Sequence, residues 1–147
     1  LRLIDEVADK HRVVVRGGKV AGMVANGAFV SPTLDAVDDP RSDVVQNEHF
    51  GPLMTLEVFD GDRDGVALAN ATRFGLGSSV WTRDHARAQR MAREIRCGTV
   101  WINAHNKLFA EAETGGYRES GFGRLHGLEG MNDFLETKHV YEEIGSL

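Results

Sequence analysis

The sequence contains a single cysteine, three prolines and no apolar run near the ~20 residues needed to cross a bilayer. One thiol can form neither an internal disulfide nor a multi-thiolate metal site, and such usage suits a reducing compartment, so a cytoplasmic location is expected. The segment Leu1 to His11 scatters acids among its apolar positions and lacks the charged-then-apolar order of a secretory leader. Basic residues are outnumbered, 17 against 22, and the resulting net charge of −5 argues against nucleic acid or an anionic membrane as the main partner. The first residue is Leu rather than Met, which leads to the expectation that the chain begins inside a longer protein.

Glycine is plentiful instead. Seventeen glycines are spread along 147 residues rather than pooled in one linker, the pattern of many tight turns between regular elements. Leu3, Ile4 and Val7 fall at helical spacing, and Val13-Val14-Val15 reads as a strand closed by Gly17-Gly18. A second strand is expected over about Ala28 to Val37, with Pro32 at an edge or bulge, and a third over Thr55 to Phe59. Asp60-Gly61-Asp62 offers N-caps for a short helix carrying Val66, Leu68 and Ala69. After a further strand, Ser79 to Thr82, Asp84 is expected to cap a helix whose apolar face is Ala88, Met91, Ala92 and Ile95, with Gly98 ending it as a C′ glycine. Thr99 to Asn103 is another strand, His105 to Arg124 carries no periodicity, Leu128 to Leu135 suggests a short helix, and Lys138 to Tyr141 a last strand. Strands alternating with helices of about ten residues predict an α/β layer structure with parallel pairing.

Chemistry is harder to read. Cys97 stands at the C-terminal end of the arginine-rich helix, the pole that disfavours a thiolate, so it reads as a small structural residue and not as a nucleophile. The histidines at 11, 49, 85, 105, 126 and 139 include no pair at metal-ligand spacing, so no metal site is expected. Arg87, Arg90, Arg93 and Arg96 recur every third residue, the spacing of a solvated face. The run from Gly115 to Arg124 lacks the lysine and hydroxyl of a phosphate loop. Glu48 and Phe50, two residues apart, could hold a nucleoside between a hydroxyl-accepting carboxylate and a flat ring, or could be a solvated acid beside a core anchor.

Six segments, in order, resemble the C-terminal part of the aldehyde dehydrogenase superfamily. They are Gly27 to Leu34, Asn47-Glu48-His49-Phe50-Gly51-Pro52, Ala67 to Asn70 with Phe74-Gly75-Leu76, Val80 to Asp84, Gly98 to Asn103, and Gly115-Gly116-Tyr117 through Arg124. The resemblance implies an α/β fold, the C-terminal half of a three-layer aldehyde dehydrogenase-like architecture with a mostly parallel sheet. It divides the chain into residues 1–114 of the catalytic domain, a glycine-rich return segment and short helix over 115–136, and an oligomerisation strand and tail over 137–147.

The function implied is oxidation of a small-molecule aldehyde to a carboxylic acid through a cysteine thioester, with NAD or NADP as cofactor, in a homo-oligomer (a dimer or tetramer). By resemblance, Glu48 accepts hydrogen bonds from the nicotinamide ribose and Phe50 packs by the nicotinamide ring. His105, Asn106, Leu108 and Thr114 become substrate-pocket contacts, although the position before Gly115-Gly116 is often aromatic in relatives and Thr114 departs from that. In relatives the nucleophilic cysteine, general-base glutamate, oxyanion asparagine and dinucleotide fold lie upstream of the matched region. No catalytic residue is therefore assigned within this chain, and the isolated chain is expected to be inactive and, with apolar surface uncovered, to self-associate. Two other readings stay open: a stand-alone, catalytically silent binding or assembly protein, and an unrelated α/β binding domain.

Overall fold

The computed structural model describes residues 1–20, 22 and 27–145. The chain folds as two compact units, Leu1–Arg73 and Phe74–Leu147.

The first unit is organised around three short strands. Helix α1 (Arg2–Lys10) is followed by β1 (Arg12–Val15), β2 (Thr33–Ala36), the single turn α2 (Asp43–Gln46), β3 (Leu53–Leu56) and α3 (Gly61–Ala69). β2 is central: it pairs antiparallel with β1 and parallel with β3, and a bulge interrupts β1 between Val13 and Val15. Helical spacing places Ile4 and Val7 on the inner side of α1. There Val7 joins Val37 and Val44 in a small core completed by Leu3, Val45 and Leu53. The surface pair Arg16–Asp5, at 2.7 Å, lies exposed and adds little.

The side-chain period of two puts Thr33 and Asp35 on the same, buried face of β2. Thr33 Oγ1 accepts the Gly17 N–H at 3.0 Å. Asp35 is wholly buried, and neither carboxylate oxygen has a hydrogen-bond partner among the described residues. Burial pushes its carboxyl above the usual carboxylate range, and His11 pulls partly against that.

In the second unit, β4 (Gly77–Val80) crosses through α4 (His85–Glu94) to β5 (Thr99–Ile102), which lies parallel to it in the register Gly77 to Thr99 through Val80 to Ile102. Asp84 caps α4 by accepting the Arg87 N–H at 3.0 Å, and that bond holds its carboxyl below the ordinary range. Ala88 on the helix and Ile95 just past its end, with Val80 and Cys97, make the buried hydrophobic set of this unit among the described residues. A 3₁₀ turn (Arg118–Ser120) and the single turn α5 (Glu129–Asn132) complete it.

The α/β class and parallel pairing are as the sequence predicts; several boundaries are not. The second strand is confined to Thr33–Ala36, because Pro32 has no N–H to donate. Before Pro32 the pairing among the described residues is the isolated bridge of Val30 with Lys19. The third strand lies at Leu53–Leu56 instead of Thr55–Phe59, since its partner β2 is only four residues long; beyond it Val58 is 87% exposed.

Helix α4 stops at Glu94. Ile95 takes an extended backbone (φ −72°, ψ 123°) that leaves its side chain buried, so the helix has ended before Gly98 is reached. Gly98 serves another purpose: a Cβ there would collide with the Gly115 carbonyl, so the glycine permits two backbones to touch. Strand β4 ends at Val80 because Thr82 is taken by the Asn103 side chain, whose Oδ1 accepts the Thr82 N–H and whose Nδ2 donates to the Thr82 carbonyl, both at 2.9 Å. Lys138 to Tyr141 forms no strand, and Val140 and Tyr141 are exposed. Ser146 and Leu147 of the tail fall outside the described residues.

The Asp35 carboxyl binds its proton more tightly folded than unfolded, so it lowers stability as pH rises from about 4, the unfolded value, through the raised folded value. Asp35→Asn is expected to stabilise the chain at pH 7 by about 1–3 kcal/mol, with the advantage shrinking toward pH 4. Urea unfolding at the two pH values checks this, and an advantage that does not change with pH would remove the buried charge as the cause.

Candidate functional site

The loop from Asn47 to Pro52 is built by short-range bonds. The Gly51 N–H donates to the His49 carbonyl at 2.8 Å and the Leu53 N–H to the Gly51 carbonyl at 2.8 Å, giving two successive three-residue turns. At the far end the Thr33 N–H donates to the Pro52 carbonyl at 2.8 Å, which ties the loop to the start of β2. At the near end the Gln46 amide donates to the carbonyls of Pro40 at 2.6 Å and Ala71 at 3.1 Å.

The first turn carries Phe50 at its apex, and the ring is 97% exposed. Glu48 is exposed beside it. Both line one cavity of about 480 Å³, whose other walls include Leu1, Ile4, Val30 and Leu53. A cavity of this size with an apolar floor and a carboxylate at its rim fits a flat ring attached to a hydroxylated sugar.

The second group of expected contacts follows β5. The Trp101 Nε1–H donates to the Lys107 carbonyl at 2.8 Å, and the Trp101 and His105 rings meet edge-on at 5.3 Å. His105 Nδ1 lies 2.8 Å from the Ser79 hydroxyl. Asn106 adopts the left-handed region (φ 53°), and Leu108 is 55% exposed. Thr114 belongs to a different local arrangement: it pairs through its backbone with Leu125, and its hydroxyl lies 3.0 Å from His126 Nδ1. It borders a cleft of about 230 Å³ together with the glycine-rich segment. Thus Glu48 and Phe50 share one cavity, whereas Thr114 sits in a cleft whose lining does not include His105, Asn106 or Leu108.

Several contributors escape sequence reasoning. Ser79 and His126 carry no motif, and each meets its partner only through the fold. The Gly75 carbonyl accepts from both Gly98 at 3.0 Å and Tyr117 at 2.9 Å, and the Gly75 N–H donates to the Ser120 hydroxyl at 2.9 Å. The Arg124 guanidinium stacks over the Tyr117 ring at 5.3 Å. Among the described residues no group of three or more His, Cys, Asp or Glu converges in a way that could hold a metal ion, and no helix is long and apolar enough to cross a membrane.

The sequence model of the aldehyde dehydrogenase family matches residues 1–140. The chain belongs to that family. It is 43% identical over 116 residues to a betaine aldehyde dehydrogenase of Bacillus subtilis, covering 79% of this chain and 24% of that protein. A betaine aldehyde dehydrogenase of Sinorhizobium fredii is 36% identical over 140 residues, covering 95% of this chain and 29% of that one. In three dimensions the chain resembles a Staphylococcus aureus betaine aldehyde dehydrogenase crystallised with NAD+ (TM-score 0.86, 37% identity, 95% of this chain and 28% of the other). It also resembles PnpE of a Pseudomonas species (TM-score 0.82, 37% identity, 92% and 28%). The chain therefore spans between 24% and 29% of the length of these relatives, and its α/β fold is that of the corresponding part of an aldehyde dehydrogenase.

Within this aldehyde dehydrogenase segment Cys97 has the surroundings of a structural thiol. It is buried, its Sγ–H donates to the Thr99 carbonyl at 3.1 Å, and burial pushes the thiol above its ordinary value, so the protonated, unreactive form prevails at neutral pH. Cys97 is expected to react with a thiol-specific disulfide reagent at least about a hundredfold faster in denaturant than in the folded chain, since reaction requires opening. Equal rates in both states would show an accessible thiolate.

Proposed function

We propose that this chain is the part of an NAD(P)-dependent aldehyde dehydrogenase that holds the nicotinamide ribose, contributes one wall of the aldehyde pocket and takes part in subunit assembly. The observation that carries the reading is the convergence of Glu48 and Phe50 on one cavity, from a loop whose turn is closed by its own backbone and tied to β2. The bound cofactor would supply the acceptor for the hydride of the aldehyde. NAD is favoured, because solved relatives are complexes with NAD+.

What the residues of this chain do follows from their chemistry. The Glu48 carboxylate accepts the two ribose hydroxyls, charge-assisted bonds that fix the sugar. Phe50, on a three-residue turn with little freedom, presents a flat face against one side of the nicotinamide ring. Together they set the distance and angle at which a hydride would arrive, and misplacement by an ångström costs about a hundredfold in rate. His105, Asn106 and Leu108, on the loop after β5, and Thr114 are proposed to line the aldehyde side. The left-handed Asn106 and the Ser79–His105 contact hold that loop in one shape. The attacking thiolate is proposed to come from the part of the family fold that precedes this segment.

In this reading residues 1–114 complete the catalytic domain, 115–136 return the chain past β5, and 137–147 are an arm that adds to a sheet of a second subunit. Exposed Val140, Tyr141 and Ile144, with no partner strand among the described residues, support that last assignment.

Glu48→Gln, made in the intact protein, is expected to weaken NADH binding about 10- to 100-fold, as for loss of a hydrogen bond to a charged group. Phe50→Ala is expected to lower kcat more than it raises the aldehyde KM. Unchanged NADH affinity in Glu48→Gln would remove the ribose assignment.

A further inference from the structure

Between Asn47 and Pro52 every residue is exposed except His49. Its Nε2 is shut off from solvent and makes no hydrogen bond among the described residues. The residue borders two cavities. On one side is the cavity of about 480 Å³ that Glu48 and Phe50 line; on the other is one of about 260 Å³ bordered by Glu6, Lys10, His11, Ser42 and Asp43. The His49 carbonyl closes the turn that carries Phe50. Side chain and main chain of one residue therefore anchor the loop at the point where Glu48 and Phe50 leave it.

An imidazole is ordinarily placed for its nitrogens, and a buried nitrogen without a partner costs stability. Here four charged or titratable neighbours, Glu6, Lys10, His11 and Asp43, border the rear cavity, and none of them bonds Nε2. The feature of the ring that the fold uses is its bulk. We propose that His49 is a positioning residue: its side chain is a peg that separates the two cavities and keeps Glu48 and Phe50 directed at the front one. The proposal rests on the reading of Glu48 and Phe50 as the nicotinamide-ribose holders. It adds a residue on the wall of the same cavity that acts on the affinity by holding Glu48 and Phe50 in place.

The test uses NADH fluorescence titration of the intact protein, well below its melting temperature, on three variants. His49→Ala removes the peg and lets the two cavities merge; the expected result is roughly tenfold weaker NADH binding. His49→Leu keeps the bulk and discards the orphaned nitrogen. It is expected to bind NADH within about twofold of the unaltered protein, as volume-conserving exchanges do, and to melt about 2–4 °C higher. A purely structural role would tie affinity to stability, whereas a peg separates them. Normal NADH binding in His49→Ala overturns the proposal, as does binding in His49→Leu as weak as in His49→Ala, which would make the nitrogen the active feature. Should His49→Ala fail to fold, His49→Val takes its place as the variant of reduced bulk: weaker NADH binding in His49→Val with normal binding in His49→Leu supports the peg, and normal binding in both overturns it. Glu48→Gln distinguishes the two levels: if it leaves NADH binding intact the ribose reading itself falls, and if it weakens binding while His49→Ala does not, only the peg falls.

Discussion

The parallel pairing of β2 with β3 is the constraint on which the candidate cofactor site depends. Parallel neighbours need a crossover, and here the crossover holds α2 and the Asn47–Pro52 loop before returning to β3. The Thr33 N–H bond to the Pro52 carbonyl starts the pairing and ends the loop in one contact. Thr33 has a second bond on the same residue, from the Gly17 N–H to its hydroxyl, so the strand start is fixed from both sides. With the strands only four residues long, few ladder bonds are available, and the loop's orientation is set by this junction and by the buried side of the loop.

The second unit solves a similar problem with glycine instead of a side-chain hydroxyl. Gly75, Gly98, Gly115 and Gly116 each face backbone at distances no side chain would tolerate. The Gly75 carbonyl gathers the N–H groups of Gly98 and Tyr117. A segment with almost no regular structure is thereby docked against the β4–β5 pair by main-chain contacts. Asn103, Asn106, Arg118 and His126 all hold positive φ within the same stretch, a density of strained conformations that accumulates where geometry is specified by the surroundings and not by propensity.

Much of this was legible in the residues. Helix α4 could be read from its period and its Asp84 cap, because both signals are local and the cap bond spans three residues. α1 was legible from its period alone, since Leu1 offers no side-chain cap. The ends of strands were not, since a strand stops where its partner stops, and the partner of β3 lies twenty residues away. Gly98 reads as a helix terminator because glycine after an apolar helix usually is one; its actual role depends on Gly115, which no local pattern reveals. The Ser79–His105 contact joins residues 26 positions apart through the crossover of a parallel pair. Glu48 and Phe50 became legible only as part of an ordered series of segments, since a carboxylate near an aromatic is commonplace. His49 remained unread because a lone histidine beside them carries no signal until its burial is known.

The clasp of Asn103 on Thr82 illustrates how narrow such fixing is. One carboxamide both accepts from and donates to the same residue, so its two ends are chemically distinct and both are used. An aspartate would keep the size and the acceptor but set a second oxygen against the Thr82 carbonyl oxygen, turning a bond into a repulsion at the same spacing. The loop after β5 is thus held by the difference between a nitrogen and an oxygen at a single atom, and a hydrolysed amide there would release it without changing the shape of the residue.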